Sequence, residues 1–404
     1  MQRAARILPA LTVRGDAAER SRLTRALERG EELKLVEPPQ RRVRILPALK
    51  ALDHARELAK DTPAEALYAA RIDELELELS LLASIGDARA VRPIVARLYG
   101  KGDLLVPLGE SQRPVREVAQ RLLDDVQNEV EAESLPAESE GAPSAAGLMR
   151  AAAHHARLEI ELKVDARLVS DAAAGERTVY LANRRFGLRQ ASRLAVHEVL
   201  GHLLAGANGR AQPLGIFALG TAGSFADQEG VAIYLEEEAD LLDGYRVRTL
   251  AARVLATDSM HEGASLHETT RMLHREHGFS ARDAVVMGLR AHRGGGVARD
   301  AVYLSAWLRV RHAIAHGRAT CMELRNGKLG LGDLPLVREL GRDGLVRPPA
   351  FRSVAGYYPS LEGADSSETR GPKRSSSLRA TASGTNPETS PPSRLASLTR
   401  FDAT

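Results

Sequence analysis

From Leu194 to Gly206 the chain is apolar except for His197, Glu198 and His202, which stand in the order His-Glu-Val-Leu-Gly-His. An apolar run of this length without proline predicts a buried helix. Two histidines flanking a glutamate suggest metal chemistry. Neutral imidazoles are good zinc ligands, and a neighbouring carboxylate can take a proton from water. The familiar H-E-x-x-H spacing puts its histidines one helical turn apart; here one residue is added. Five positions of a regular α-helix run about 140° past a full turn, so the two imidazoles would diverge. They converge only if the turn is widened, as in a π-type turn with i→i+5 bonding. Gly201 is where such a distortion would meet least resistance. The segment therefore predicts either a distorted helix near Gly201 with a shared metal, or two partly exposed histidines that merely flank an acid.

A catalytic zinc wants three protein ligands and an open position for water. The best third candidate is Glu229, within Asp227-Gln228-Glu229-Gly230-Val231-Ala232. These residues open the next expected helix, Gln228–Leu242, after a glycine-rich connection. Two antiparallel helices joined in this way can set an acid of the second opposite the histidines of the first. Alone, Glu229 reads as a first-turn acid favoured by the helix dipole. Glu236, Glu237 and Glu238 compete for the role, although three consecutive acids more often form a solvated face.

The rest of the chain frames this region. Its 404 residues, 44% apolar and 27% charged, can bury a sizeable core. Residues 1–130 read as a helical region, with helices over Ala64–Leu82, Val91–Tyr99 and Val115–Val126. Thr62-Pro63 supplies the start signal for the first of these. The hexapeptide Arg-Ile-Leu-Pro-Ala-Leu at 6–11 recurs at 44–49, without a repeating context. Residues 131–147, acidic with two prolines, read as a linker or long loop. Residues 148–357 form the next region. Leu158, Ile160, Leu162 and Val164 alternate as in a strand, Thr178–Leu181 reads as a second strand, and helices follow over 189–204, 265–276, 281–289 and 300–316. The expected class is α+β, mainly helical, with a small sheet. A disordered basic tail rich in Ser and Pro closes the chain at 358–404, its bias clearest from Ser366.

Six cations and three anions in Ser366–Thr404 account for the whole net charge of +3, so the remainder is neutral. That argues against a nucleic-acid partner. No apolar run suggests a membrane span or a secretory signal. The single cysteine, Cys321, excludes a disulfide framework. A cytoplasmic location is expected. His261, His267, His274 and His277 fit no compact ligand spacing and read as surface histidines.

The residues His197–His202, Asn208-Gly209 with Gln212-Pro213-Leu214, and Gln228–Ala232 closely resemble the bacterial QEGLA-motif proteins, labelled flavohaemoglobin expression-modulating. Those are related to the microtubule-associated tyrosine carboxypeptidases of animals. Further segments are similar: Leu98-Tyr99-Gly100 with Asp103–Val106, Arg290–Gly295, Arg299–Leu304, Asn326–Leu329 and Arg347-Pro348-Pro349. The resemblance covers roughly residues 55–355.

It implies a zincin-like domain that holds one zinc per chain on His197, His202 and Glu229. Glu198 would be the base, and the activity would be removal of residues from peptide or protein C-termini. Arg299 replaces the family's lysine and Val231 its leucine. Within that reading Arg290, Arg293 and Arg299 are candidates to hold the substrate's terminal carboxylate. Tyr303 could donate to a developing oxyanion or be an ordinary core tyrosine. The alternative is a zinc-stabilised, non-catalytic regulatory protein that binds a partner; an intact Glu198 favours the enzyme.

Overall fold

The computed structural model describes residues 17–36, 43–127, 131–139, 143–166, 168, 170–354 and 356–359. The first Arg-Ile-Leu-Pro-Ala-Leu copy and the tail beyond Pro359 lie outside the described residues.

The fold is α+β and mainly helical. Helices α1 (Ala17–Glu28), α2 (Leu46–Ala59), α3 (Glu65–Ser84) and α4 (Ala88–Tyr99) come first. A hairpin of β1 (Leu105–Leu108) and β2 (Ser111–Pro114) leads into α5 (Val115–Asp125). Then follow α6 (Ala145–His155), β3 (Glu161–Asp165), β4 (Ala172–Ala174), β5 (Thr178–Ala182) and α7 (Leu188–Ala195). The chain continues without a break through a π-helix (Val196–Leu203) into α8 (Leu204–Ala211). The rest is α9 (Ile216–Leu219), α10 (Ser224–Glu238), α11 (Gly244–His261), α12 (Leu266–Arg275), α13 (Ala281–Gly296), α14 (Val302–Ala315), α15 (Cys321–Leu324) and α16 (Leu334–Arg342).

The apolar excess of α3 has a physical cause: the helix serves three cores at once. Ile72, Leu75 and Leu79 pack on α2, Leu67 faces the sheet-side core, and Leu81 and Leu82 join the core of α1, α4, α5 and α11–α14. Its start differs from expectation. Pro63 lies ahead of the helix, and no side chain caps Ala64. Thr62 instead donates its hydroxyl to the Ala59 carbonyl, while the Glu65 carboxylate accepts from the Asp61 amide. At α12, by contrast, Ser265 and Glu268 form a reciprocal capping box.

The three-stranded sheet has the order β3-β5-β4. β3 runs parallel to β5, pairing Leu162 with Val179 and Val164 with Leu181, and β4 runs antiparallel on the other side. β4 consists of Ala172, Ala173 and Ala174, which carry no alternation, so it left no trace in the pattern. Leu135 pairs with Phe186 in an isolated bridge and is buried.

The π-helix, α10 and α14 form a tight stack. A Cβ on Gly201 would lie 2.9 Å from the Ala232 Cβ, and one on Gly230 only 2.5 Å from the Ala306 carbonyl oxygen. Both glycines are therefore needed for close helix approach, which differs from the role expected of Gly201 as a point of easy distortion. No described helix is long and apolar enough to cross a membrane.

Candidate metal centre

The widened turn is present. The Leu204 amide donates to the Val199 carbonyl, five residues back, and π geometry extends over Val196–Leu203. One such turn brings His197 and His202 onto a common side, with ring centroids 4.8 Å apart. The Leu200 carbonyl accepts from Arg325 Nη1 at 2.9 Å, a side-chain donor inside the distorted segment.

Helix α10 begins at Ser224, four residues earlier than expected, after Gly223 in the left-handed region. Glu229 is thus in its second turn, which removes the reading of a first-turn acid. Its Oε2 lies 3.3 Å from His197 Nε2 and 3.6 Å from His202 Nε2, and the two Nε2 atoms are 3.2 Å apart. A tetrahedral ion with bonds of about 2.1 Å sets its ligand atoms about 3.4 Å apart. The three donors fit that triangle. Glu229 Oε2 is also buried without a good hydrogen-bond partner, an expensive state that a cation relieves. These three residues can hold a metal ion.

A second carboxylate stands behind the first. Glu236 is fully buried, and its Oε1 is 2.7 Å from His197 Nδ1. Such a contact fixes the tautomer that leaves Nε2 free for a metal. Arg246 grips Glu236 with two bonds of 3.0 Å, and Arg193 lies 3.6 Å away. Burial alone would raise the Glu236 carboxyl, but the two arginines and His197 hold it far below the usual carboxylate range. Burial likewise disfavours a charged His197, yet the carboxylates of Glu229 and Glu236 beside it outweigh this and lift it to about 9. The solvated face expected of residues 236–238 is confined to the exposed Glu238. Glu237 accepts from the Trp307 indole at 2.8 Å and pairs with Arg311. Sequence reasoning missed the role of Glu236. Its signal was the spacing: seven residues after Glu229 is two turns along the same helix face.

The cavity above these donors measures about 950 Å³. Glu198, His197, His202 and Glu229 line its floor, and the edge strand β4 forms part of one wall. Arg290, Arg293, Arg299 and Tyr303 line it as well, so every candidate side chain reaches the same space. They are not equivalent. Arg290 is committed to Asp300, through Nε and through Nη2 at 2.7 Å. Arg293 does not continue the helix with Arg290: α13 breaks there, and Gly294 and Gly295 take positive φ. Arg299 lies over the Phe225 ring at 4.2 Å. Burial and the nearby Glu229 push the Tyr303 phenol well above its ordinary range, so it stays protonated and able to donate.

The segments around the site are stitched by buried amides. Gln228 Nε2 donates to the carbonyls of Leu324 and Leu329. Asn208 bonds Arg325 and Phe351, and Gln212 bonds Asn326 and Arg347. Asp227 pairs with Arg309 and accepts from the Leu331 amide.

The family model described as microtubule-associated tyrosine carboxypeptidase matches residues 39–359. The chain belongs to that family. Membership implies carboxypeptidase-type activity on a peptide or protein. No curated protein matches the chain in sequence. The match spans α2 to α16 and so includes the metal centre, the cavity and the amide-stitched segments. The four half-buried histidines of 261–277 form no metal cluster among the described residues. His267 accepts from the Leu33 amide, and His274 bonds the Phe279 carbonyl.

Proposed function

We propose that the protein is a zinc-dependent metallocarboxypeptidase, with His197, His202 and Glu229 as ligands of one zinc ion. The observation that carries this is the convergence of the three donors at 3.2–3.6 Å beneath a cavity that also receives Glu198, in a chain of a carboxypeptidase family. Two imidazoles, one carboxylate and an open side match a catalytic zinc set. When bound, zinc supplies Lewis acidity toward water and the scissile carbonyl. Glu198 accepts a proton from the attacking water and passes it to the leaving amine. Tyr303, kept protonated, donates to the oxygen on which charge develops. Arg293 and Arg299 line the same cavity and add positive charge to it, whereas Arg290 is neutralised by Asp300.

The test is mass spectrometry of a library of free-acid peptides incubated with the zinc-loaded protein and with Glu198→Gln. The family description names tyrosine, so peptides ending in tyrosine belong in the library. Loss of single C-terminal residues with wild type is expected. Gln resembles Glu in shape but cannot take the proton, so Glu198→Gln should keep zinc and lose about 10²–10⁴-fold in rate. A zinc-loaded wild type that cleaves no peptide would overturn the reading in favour of a regulatory protein.

A further inference from the structure

Among the cations on the cavity wall, Lys328, Arg20 and Arg299 lack an ion pair among the described residues, and of these Arg299 lies over the Phe225 ring. Arg290 is neutralised by Asp300, and Arg71 is paired with Glu74 and Glu78. The Lys328 ammonium has no hydrogen bond or salt bridge among the described residues, though it lines the cavity. Its stem passes Gly206, four residues beyond His202: a Cβ there would lie 3.7 Å from Lys328 Cε. Four residues of helix rise about 6 Å, so the lysine reaches the cavity from beside the His202 ligand.

The lysine is held in place by its backbone. The Lys328 amide donates to the Phe217 carbonyl at 2.9 Å, and its own carbonyl accepts from Thr221 at 3.0 Å. Gln228, adjacent to Glu229, grips Leu324 and Leu329 on either side. The residue that precedes a ligand thus fixes the backbone of the loop that carries the lysine.

We propose that Lys328 takes the α-carboxylate of the substrate's C-terminal residue. The inference rests on the peptidase reading above. In a peptide the scissile carbonyl carbon and the terminal carboxylate carbon are three bonds apart, at most about 4 Å. A group that reads the carboxylate must therefore share the metal centre's cavity and stand on a fixed element; Lys328 lines that cavity from a loop whose backbone is held. Burial, with Arg210 and Arg71 nearby, lowers the lysine's proton affinity despite Glu176. An unpaired, partly desolvated ammonium is costly, and an incoming carboxylate relieves it.

The test measures binding separately from cleavage. Zinc-loaded Glu198→Gln protein, with and without Lys328→Met, is titrated by calorimetry with one peptide as its free acid and as its C-terminal amide. Lys328→Met should weaken the free acid by roughly 10- to 100-fold, the range of a charge-assisted hydrogen bond, and leave the amide nearly unchanged. Lys328→Arg should restore much of the preference. Equal losses on both peptides, or none on either, would overturn the proposal. So would a free-acid preference that survives in Lys328→Met and vanishes in Arg299→Met. If Lys328→Met does not fold, Lys328→Gln decides by the same comparison. A wild type that binds free acids through Lys328 but cleaves nothing would sink the peptidase reading alone. Cleavage with undiminished carboxylate preference in Lys328→Met would sink the lysine alone.

Discussion

Glu236 shows how much a single buried carboxylate can decide. It orients His197 and also pairs with Arg246 and Arg193. Glu236→Gln keeps the volume and removes the charge. The arginines would then be buried without a counter-ion, at a cost of about 3–5 kcal/mol. Loss of the oriented imidazole should weaken metal binding by roughly 10- to 100-fold. Denaturant unfolding and zinc titration against a competing chelator measure the two effects separately. An unchanged zinc affinity in a folded Glu236→Gln would make Glu236 only the counter-ion of the arginines. The run Asp227–Gly230 can be parsed one residue at a time in the same way. Asp227 bonds Arg309, Gln228 pins a loop, Glu229 meets the histidines, and Gly230 touches α14.

At the scale of elements, the site depends on two helices meeting at Gly201. Ala is the better helix former by about 1 kcal/mol, so propensity alone predicts that Gly201→Ala stabilises. The added methyl would lie 2.9 Å from the Ala232 Cβ, an overpacking that costs typically about 1–3 kcal/mol. The contact should win, lowering the melting temperature. Pushing α10 away also moves Glu229 from the histidines, so zinc affinity should fall too. Gly206→Ala is the control, because its methyl would meet only ordinary contacts of 3.4 and 3.7 Å. If Gly201→Ala proves as stable as Gly206→Ala and binds zinc normally, the tight stack is not what holds the ligands together.

At the scale of the whole molecule, α3 ties three cores together and carries Arg71 and Glu78 into the interior. Glu78 is buried beside Arg71, and burial lifts its carboxyl from 4.5 to about 7 despite that arginine. The folded chain therefore keeps a proton on Glu78 that the unfolded chain releases near pH 4.5. Stability is highest below that pH as far as this group is concerned. It falls as pH rises from about 4.5 to 7 and then levels off, a change on the order of 3 kcal/mol. Glu78→Gln removes the titration. It should raise stability at pH 8 by an amount of that order, with little change at pH 4. Denaturant curves at both pH values check this, and an unchanged difference between wild type and variant across the range would refute it.

The sequence by itself determined the class of fold and that His197 and His202 can converge only through a widened turn; it left Glu229 as the best third candidate, with Glu236, Glu237 and Glu238 competing. These follow from local rules: helical period, the angle subtended by five residues, and an acid on the helix that follows a glycine-rich connection. Glu236, Gln228 and Lys328 were not legible as a site because their partners are distant in sequence. His197 lies 39 residues from Glu236, and Gln228 about 100 from the loop it holds. β4 was invisible because three alanines carry no pattern. The pairing of Arg290 with Asp300 and the break at Arg293 also had to come from the tertiary structure. An arginine's sequence says that it is charged, whereas its partner and exposure depend on what the packed helices leave beside it. The chain encodes the candidate ligands locally, and packing decides which of its many charged side chains face them.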